Sequence, residues 1–250
     1  MKSIKFTLSG KTAFFKKPEV NAYFNFTYGQ IHKMTILGIF GAILGYDGYG
    51  QKKWKSKEKK AQFIDEVPEF YEKLNHLQIS IVPRNEKGYI PKKVQTFNNS
   101  VGYASKEKGG NLIVKEQWLE NPAWDIYVLV IDNETEILAK KLLEKECVYM
   151  PYLGKNDHPA DISEVELLEL QETADKIVSF SCLFPKATGE ISDKVEPSAG
   201  NEFRYEEKLP IGIDVLTNFY IYETFVYTNY ALEELCETVY EIQNRKLIFY

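Results

Sequence analysis

The sequence predicts an α+β protein whose core elements run β-α-β-β-α-β, with a β-hairpin inserted between the second and third strands and a smaller, mostly-β region behind. Three observations predict it. Ile4, Phe6 and Leu8 alternate with polar residues, and Leu77–Val82 (LQISIV) alternates again, the period of a half-buried strand. Between them Ile36–Tyr46 is an apolar run with three glycines, too short to cross a bilayer and suited to a buried helix. Residues 83–122 then carry turn residues and lysines without a core pattern, which suits a projecting hairpin inside a compact domain.

A chain of 250 residues holds one large domain, or one domain with an appendage. With 44% hydrophobic and 27% charged residues it has the composition of an ordinary globular protein. The opening MKSIKFTLSGK alternates like a strand and lacks the apolar stretch of a signal peptide, so no membrane segment is expected. The three cysteines, Cys147, Cys182 and Cys236, are widely spaced, which argues against a disulfide framework and against a zinc site. A reduced, cytoplasmic protein is expected.

Charge is unevenly distributed. Residues 1–115 hold 20 Lys and Arg against 9 Asp and Glu, a balance of +11; residues 116–250 hold 11 against 27, a balance of −16. Such a split favours a basic face for a polyanion and an acidic face for solvent or protein, although solvated surface lysines would produce the same count.

Taken in order, Lys2–Leu8 is the first strand, and Ala13–Phe15 continues it after Ser9-Gly10. Pro18 lacks an N–H and ends the pairing. Thr35 is the expected N-cap of a helix reaching Gly45. Gly38, Gly41 and Gly45 share one face of it. Each costs about 1 kcal/mol relative to alanine, so a close approach is expected there, to a sheet in preference to a ligand backbone. Lys52, Lys53, Lys55, Lys57, Lys59 and Lys60 surround Trp54, a pattern fit for single-stranded nucleic acid or for a solvated loop. Phe63, Val67, Phe70 and Leu74 recur at helical spacing, with Pro68 opening the second of two short helices.

After the basic insertion, Trp124–Asp132 (WDIYVLVID) is a strand rich in β-branched and aromatic residues. Asn133 with Glu136 reads as a capping box opening a helix to about Glu146. A strand near Val165–Leu170 completes the βαββαβ order of a ferredoxin-like, RNA-recognition-motif-like fold. Residues 1–170 are thus expected to form that domain, with its hairpin at about 84–122, and residues 171–250 the smaller, mostly-β region. In that region Lys176–Phe184, Ile221–Tyr227 and Lys246–Tyr250 read as strands and Leu232–Tyr240 as a short helix.

The catalytic inventory is thin. The chain has no GxxxxGK[ST], no GxGxxG after a strand, no HExxH and no GxSxG. His32, His76 and His158 are far apart in sequence; His158 suits a turn cap and His76 a helix C-terminus. His32 alone sits among basic and aromatic residues. A metal-free ribonuclease needs a base for a 2′-hydroxyl and a cation for the phosphate, roles open to His32 or Tyr46 with a nearby lysine. A structural or RNA-contacting His32 is the preferred reading.

Three blocks carry a resemblance: AFFKKPEVNAYFNFTYGQIHKMTILGIFGAILG, KEQWLENPAWDIYVLV and YMPYLGKNDHPADI. In this order they resemble the fifth CRISPR-associated (Cas) protein family, the subunit that caps the crRNA 5′ end in type I Cascade surveillance complexes, here closest to subtype I-B. The resemblance implies a hairpin thumb, binding of the crRNA 5′ handle, contacts with the Cascade backbone subunit and large subunit, and no cofactor. One subtype of the family cuts precursor RNA with a tyrosine and an adjacent lysine and histidine of the thumb. Residues 84–115 contain no histidine, so RNA binding without catalysis is expected.

On these two grounds the expected RNA-binding residues are Lys16, Lys17, Tyr28, His32 and Lys33 of the first loop, then Tyr46, Lys52, Lys53 and Trp54. Lys92, Lys93, Gln95, Asn98, Tyr103, Lys106 and Lys108 of the thumb complete the set. The lysines would neutralise phosphates, and Tyr28, His32, Tyr46 and Tyr103 would stack on or bond to unstacked bases. A metal-independent endoribonuclease and a protein–protein adaptor are the alternatives.

Overall fold

The structure, a computed structural model, describes residues 1–19, 24–49, 67–98, 106, 108, 112–192 and 201–250. In chain order the elements are strands β1 (Lys2–Ser9) and β2 (Thr12–Ala13), helices α1 (Lys33–Leu44) and α2 (Glu69–Leu74), and strands β3 (Ile79–Pro83), β4 (Lys92–Asn98), β5 (Ile113–Glu120) and β6 (Ala123–Val130). Helix α3 (Asn133–Glu144) and strands β7 (Asp161–Glu169), β8 (Gln171–Thr173), β9 (Phe184–Pro185) and β10 (Glu190–Ile191) follow. The chain ends with β11 (Arg204–Ile213), β12 (Tyr220–Thr228), β13 (Leu232–Glu233), β14 (Val239–Ile242) and β15 (Arg245–Leu247).

The central sheet has the order β3-β6-β1-β7, with every neighbouring pair antiparallel. Side-chain alternation divides its residues between two cores. Ile4, Phe6 and Leu8 of β1, Trp124, Ile126 and Val128 of β6, and Ile79 and Ile81 of β3 face α1 and α3 in the larger core. Phe6 meets Phe40 of α1 edge-on at 6.0 Å. Ser3, Lys5 and Thr7, together with Asp125 and Tyr127, occupy the intervening positions. There Val82, Tyr127 and Leu129 share a second core with Leu170, Val178, Phe180, Leu247 and other residues of the C-terminal part. That part also covers the outer edge of β3: Ile79 and Tyr250 exchange main-chain bonds of 3.2 and 3.1 Å, and Leu183 N donates to Ile81 O.

β4 and β5 pair from Lys92↔Leu119 to Asn98↔Ile113 and form the inserted hairpin between β3 and β6. The other edge of β5 pairs with β2 and bridges to Asn25, so the first loop is stitched to the hairpin's base. Asn25 N donates to Lys115 O at 2.8 Å and Gln117 N to Asn25 O at 2.9 Å.

Several expectations are corrected. His32, not Thr35, is the N-cap of α1, and Thr35 lies one turn inside. Asp132, not Asn133, caps α3, closing a capping box with Thr135. The glycines of α1 do not meet the sheet. A Cβ at Gly41 would lie 2.6 Å from Cβ of Phe70, on α2, whereas one at Gly38 would touch nothing within 4 Å. Gly45 is the left-handed C-cap at φ 88°.

In the C-terminal part, Lys176–Phe184 is not a continuous strand: it contributes an isolated bridge at Val178 and then β9. Leu232–Tyr240 is not a helix. Leu232 exchanges main-chain bonds with Val178, Glu234 has φ 54°, and Val239 opens β14 against β8. Long-range pairing overrides the helical spacing of its apolar residues. β11 escapes the sequence reading because Pro210 and Gly212 look like breakers; they mark a register shift opposite β12.

Candidate nucleic-acid interface

The loop entering α1 is held by its own polar side chains. Thr27 Oγ1 accepts from Phe15 N at 3.0 Å and donates to Tyr28 O. Gln30, fully buried, accepts from Trp124 Nε1 at 2.7 Å and donates to Gly88 O. The resulting turn places Gly29 against the β11–β12 hairpin. Gly29 N donates to Glu207 Oε2 at 2.8 Å, Tyr205 Oη donates to the same oxygen at 2.6 Å, and Lys17 Nζ lies 2.9 Å from Glu207 Oε1. A Cβ at Gly29 would overlap the Tyr205 hydroxyl and come within 3.5 Å of Lys92 Nζ, so a side chain here would displace the end of Tyr205. Burial lowers the Lys92 ammonium below its ordinary range, partly offset by the Glu207 carboxylate.

Beside this ion cluster lies an aromatic one. Tyr28 Oη donates to Tyr222 Oη at 3.2 Å, Lys17 Nζ stands 4.9 Å over the Tyr28 ring, and Lys208 Nζ 5.4 Å over Tyr222. Burial first, then the Tyr222 hydroxyl, raises the Tyr28 phenol well above its usual range. His32 meets Tyr28 edge-on at 5.1 Å and Tyr220 at 6.2 Å. Its Nδ1 accepts from Thr35 N at 3.4 Å, and its Nε2 is 3.1 Å from Thr35 Oγ1. Burial pushes its pKa down to about 3, so the ring is neutral at physiological pH. Lys33, next along, is held near 8 by burial.

The structure therefore gathers Lys17, Tyr28 and Lys92 around one turn, with His32 against Tyr28 and Lys33 following it at the start of α1. Lys16 is exposed at a bridge to Thr27 beside it. Lys93 goes to the opposite face of the hairpin from Lys92, as strand alternation requires. There it stands 3.3 Å from Glu120 and 6.0 Å from the Trp118 ring. Gln95 shares that face, while Asn98 is exposed on the Lys92 side. Lys106 and Lys108 are exposed. Tyr46 sits elsewhere: its hydroxyl bonds to Glu134 at the start of α3, Lys73 lies over its ring, and burial with Glu134 lifts its pKa to about 12. Lys52, Lys53, Trp54 and Tyr103 lie outside the described residues.

The other histidines have structural partners. His158 is buried, bonds through Nδ1 to Thr12 Oγ1 at 2.7 Å and stands edge-on to Trp118 at 4.5 Å. His76 Nε2 lies 2.7 Å from Asp132 Oδ2, tying the end of α2 to the cap of α3. Among the described residues no group of three or more His, Cys, Asp or Glu could hold a metal ion, and no helix is long and apolar enough to cross a membrane.

The sequence reading missed Tyr205, Glu207, Lys208, Tyr220 and Tyr222, the whole partner surface from β11 and β12. The available signal was the same-face spacing of Tyr205 with Glu207 and of Tyr220 with Tyr222, obscured by Pro210.

An antiparallel sheet backed by two helices, with a hairpin projecting from one end of the sheet, defines a mixed α+β class of fold. Its likeness to solved structures is specific. The chain superposes on a CRISPR protein from Archaeoglobus fulgidus with a TM-score of 0.53 at 11% identity, over 99% of this chain and 98% of that one. It superposes on a chain of a CRISPR RNA-guided surveillance complex with a TM-score of 0.52 at 11% identity, over 93% and 91%. At these identities the likeness is one of fold. No family model and no curated protein sequence matches the chain.

Proposed function

We propose that this chain is a CRISPR-associated RNA-binding protein of the fifth Cas family, subtype I-B. In this reading it caps the 5′ handle of crRNA in a type I Cascade complex in the cytoplasm, beside the backbone and large subunits. The observation that carries the reading is the turn at Gly29, where Lys17 of the first loop and Lys92 of the hairpin meet beside a shelf of tyrosines, with Lys33 following at the start of α1. Ammonium groups brought together from two elements suit phosphates, and the exposed ring of Tyr220 and the half-buried ring of Tyr222 suit unstacked bases. The sheet order β3-β6-β1-β7 supports a ferredoxin-like βαββαβ core with the hairpin as its thumb. The fold likeness to a chain of an RNA-guided surveillance complex agrees with both.

In this reading the chain binds RNA without cutting it. His32 is buried and neutral with both ring nitrogens engaged by Thr35, and Tyr46 is bonded to a carboxylate. Neither is prepared to take a proton from a 2′-hydroxyl.

Binding of handle RNA and of a scrambled RNA, each with the partner subunits present, tests the proposal. Handle RNA should bind more tightly, and Lys17→Ala and Lys92→Ala should each lower the slope of log affinity against log salt by about 0.7. Equal binding of the two RNAs would overturn it. A discrete cut in repeat RNA incubated in EDTA, lost on His32→Ala, would establish the endoribonuclease instead.

A further inference from the structure

A second polar site lies on the face of the sheet away from α1, in a cavity of about 450 Å³ between the ends of β3 and β6 and the C-terminal part. Asp125, 3% exposed, lies at its floor between two arginines. Arg245 Nη1 donates to Asp125 Oδ2 at 2.7 Å and to Tyr127 Oη at 3.0 Å. Arg84 Nη1 is 3.5 Å from Asp125 Oδ1 and donates to Thr7 Oγ1 and Glu164 Oε2, both at 2.8 Å. Every hydrogen bond that these two guanidiniums make to a described residue leaves from Nη1, and each arginine side chain is 41% exposed. Among the described residues none accepts from their Nη2 or Nε, and the carboxylate beneath holds both planes in place. Phe203 and Tyr227, whose rings pair at 5.4 Å, and Phe180 supply an apolar wall.

We propose that this cavity is a nucleotide subsite. The Arg84 and Arg245 forks take one phosphate, and the Phe203–Tyr227 pair receives the adjoining base. Guanidinium forks match phosphate geometry, and aromatic faces accept any base. A volume of about 450 Å³ falls in the range of small-ligand sites. None of the residues placed at the Gly29 turn lines it. The inference rests on the RNA-binding reading for its choice of a ribonucleotide, which can arrive free or as one unit of a strand.

Calorimetric titration of the full-length protein with AMP, inorganic phosphate, and a short 5′-phosphorylated oligoadenylate tests it. AMP or the oligoadenylate should bind, with the stronger of the two naming the source, and inorganic phosphate should bind more weakly than AMP. Arg84→Lys and Arg245→Lys keep the charge that Asp125 needs while removing the fork, and each should weaken binding about tenfold. Phe203→Ala, off the Asp125 network, should weaken AMP but not inorganic phosphate. Lys17→Ala should leave AMP binding unchanged. The proposal falls if neither nucleotide binds, if phosphate binds as tightly as AMP, or if Phe203→Ala and both lysine variants bind AMP like the parent chain. Arginine-dependent AMP binding without selective handle-RNA binding would keep this site and overturn the wider reading.

Discussion

At His32, burial and capping act on one ring. Its side chain closes the first turn of α1 through Thr35 and fills the space between Phe15, Tyr28 and Tyr220. Because its folded pKa is about 3 against 6.5 for the free side chain, the unfolded chain binds the extra proton between those values. Stability therefore falls as pH drops through that window. His32→Gln should flatten the acid limb, removing on the order of 2 kcal/mol from the stability difference between pH 7 and pH 5. Urea unfolding at the two pH values checks this, and an equally steep limb in the variant would show that His32 is not the group responsible. Lys33 behaves in the same sense further up: its pKa near 8 makes stability rise from about pH 8 toward 10.5, where the unfolded side chain also loses its proton. Phosphate beside Lys33 would oppose that deprotonation.

Helix α1 shows how one spacing serves different ends. Its three glycines share a face in sequence, yet they meet different surroundings: Gly41 faces Phe70 of α2, Gly45 faces Val148, and Gly38 faces nothing within 4 Å. Gly38→Ala should stabilise the protein by about 1 kcal/mol through helix propensity alone. Gly41→Ala should destabilise it by about 1–3 kcal/mol, because the new methyl group forces α2 away. Opposite signs in chemical denaturation are the expected result; equal signs would mean that α2 does not pack there in solution. The hairpin β4–β5 obeys a similar rule. Alternation sends Lys92 toward Gly29 and Lys93 toward Trp118, so adjacent lysines of one motif serve different faces. Main-chain bonds at Asn25 join the first loop and the hairpin edge to edge into one surface.

Over the whole molecule, Asp125 ties the parts together. It touches Thr7 of β1, Arg84 beyond β3 and Arg245 of β15 from its own place in β6. Asp125→Ala should cost about 2 kcal/mol, since charge-assisted bonds are lost and two guanidiniums are left facing each other. A shift in the urea midpoint checks the loss, and an unchanged midpoint would mean that solvent replaces the carboxylate at no cost. The basic and acidic halves of the sequence also meet in space. Lys17 pairs with Glu207 and Lys93 with Glu120, so part of the +11 of the first half is neutralised before any polyanion binds.

Much of this was legible beforehand. Ile4, Phe6 and Leu8, Leu77–Val82 and Trp124–Asp132 announce three central strands because a half-buried strand must alternate, and Ile36–Tyr46 announces α1 because its apolar run is continuous. Lys17, Lys33 and Lys92 were legible as basic residues of the first loop and the insertion, although Lys33 opens α1 and Lys92 opens β4. What the chain's order alone left open is the company they keep. Tyr28 meets Tyr222 across 194 positions, Gly29 meets Glu207 across 178, and Asp125 meets Arg245 across 120. Local periodicity is a property of neighbouring residues and can be read from them. Which distant surfaces close on each other is decided only when the whole core packs, and the Gly29 turn and the two-arginine cavity are both products of that packing.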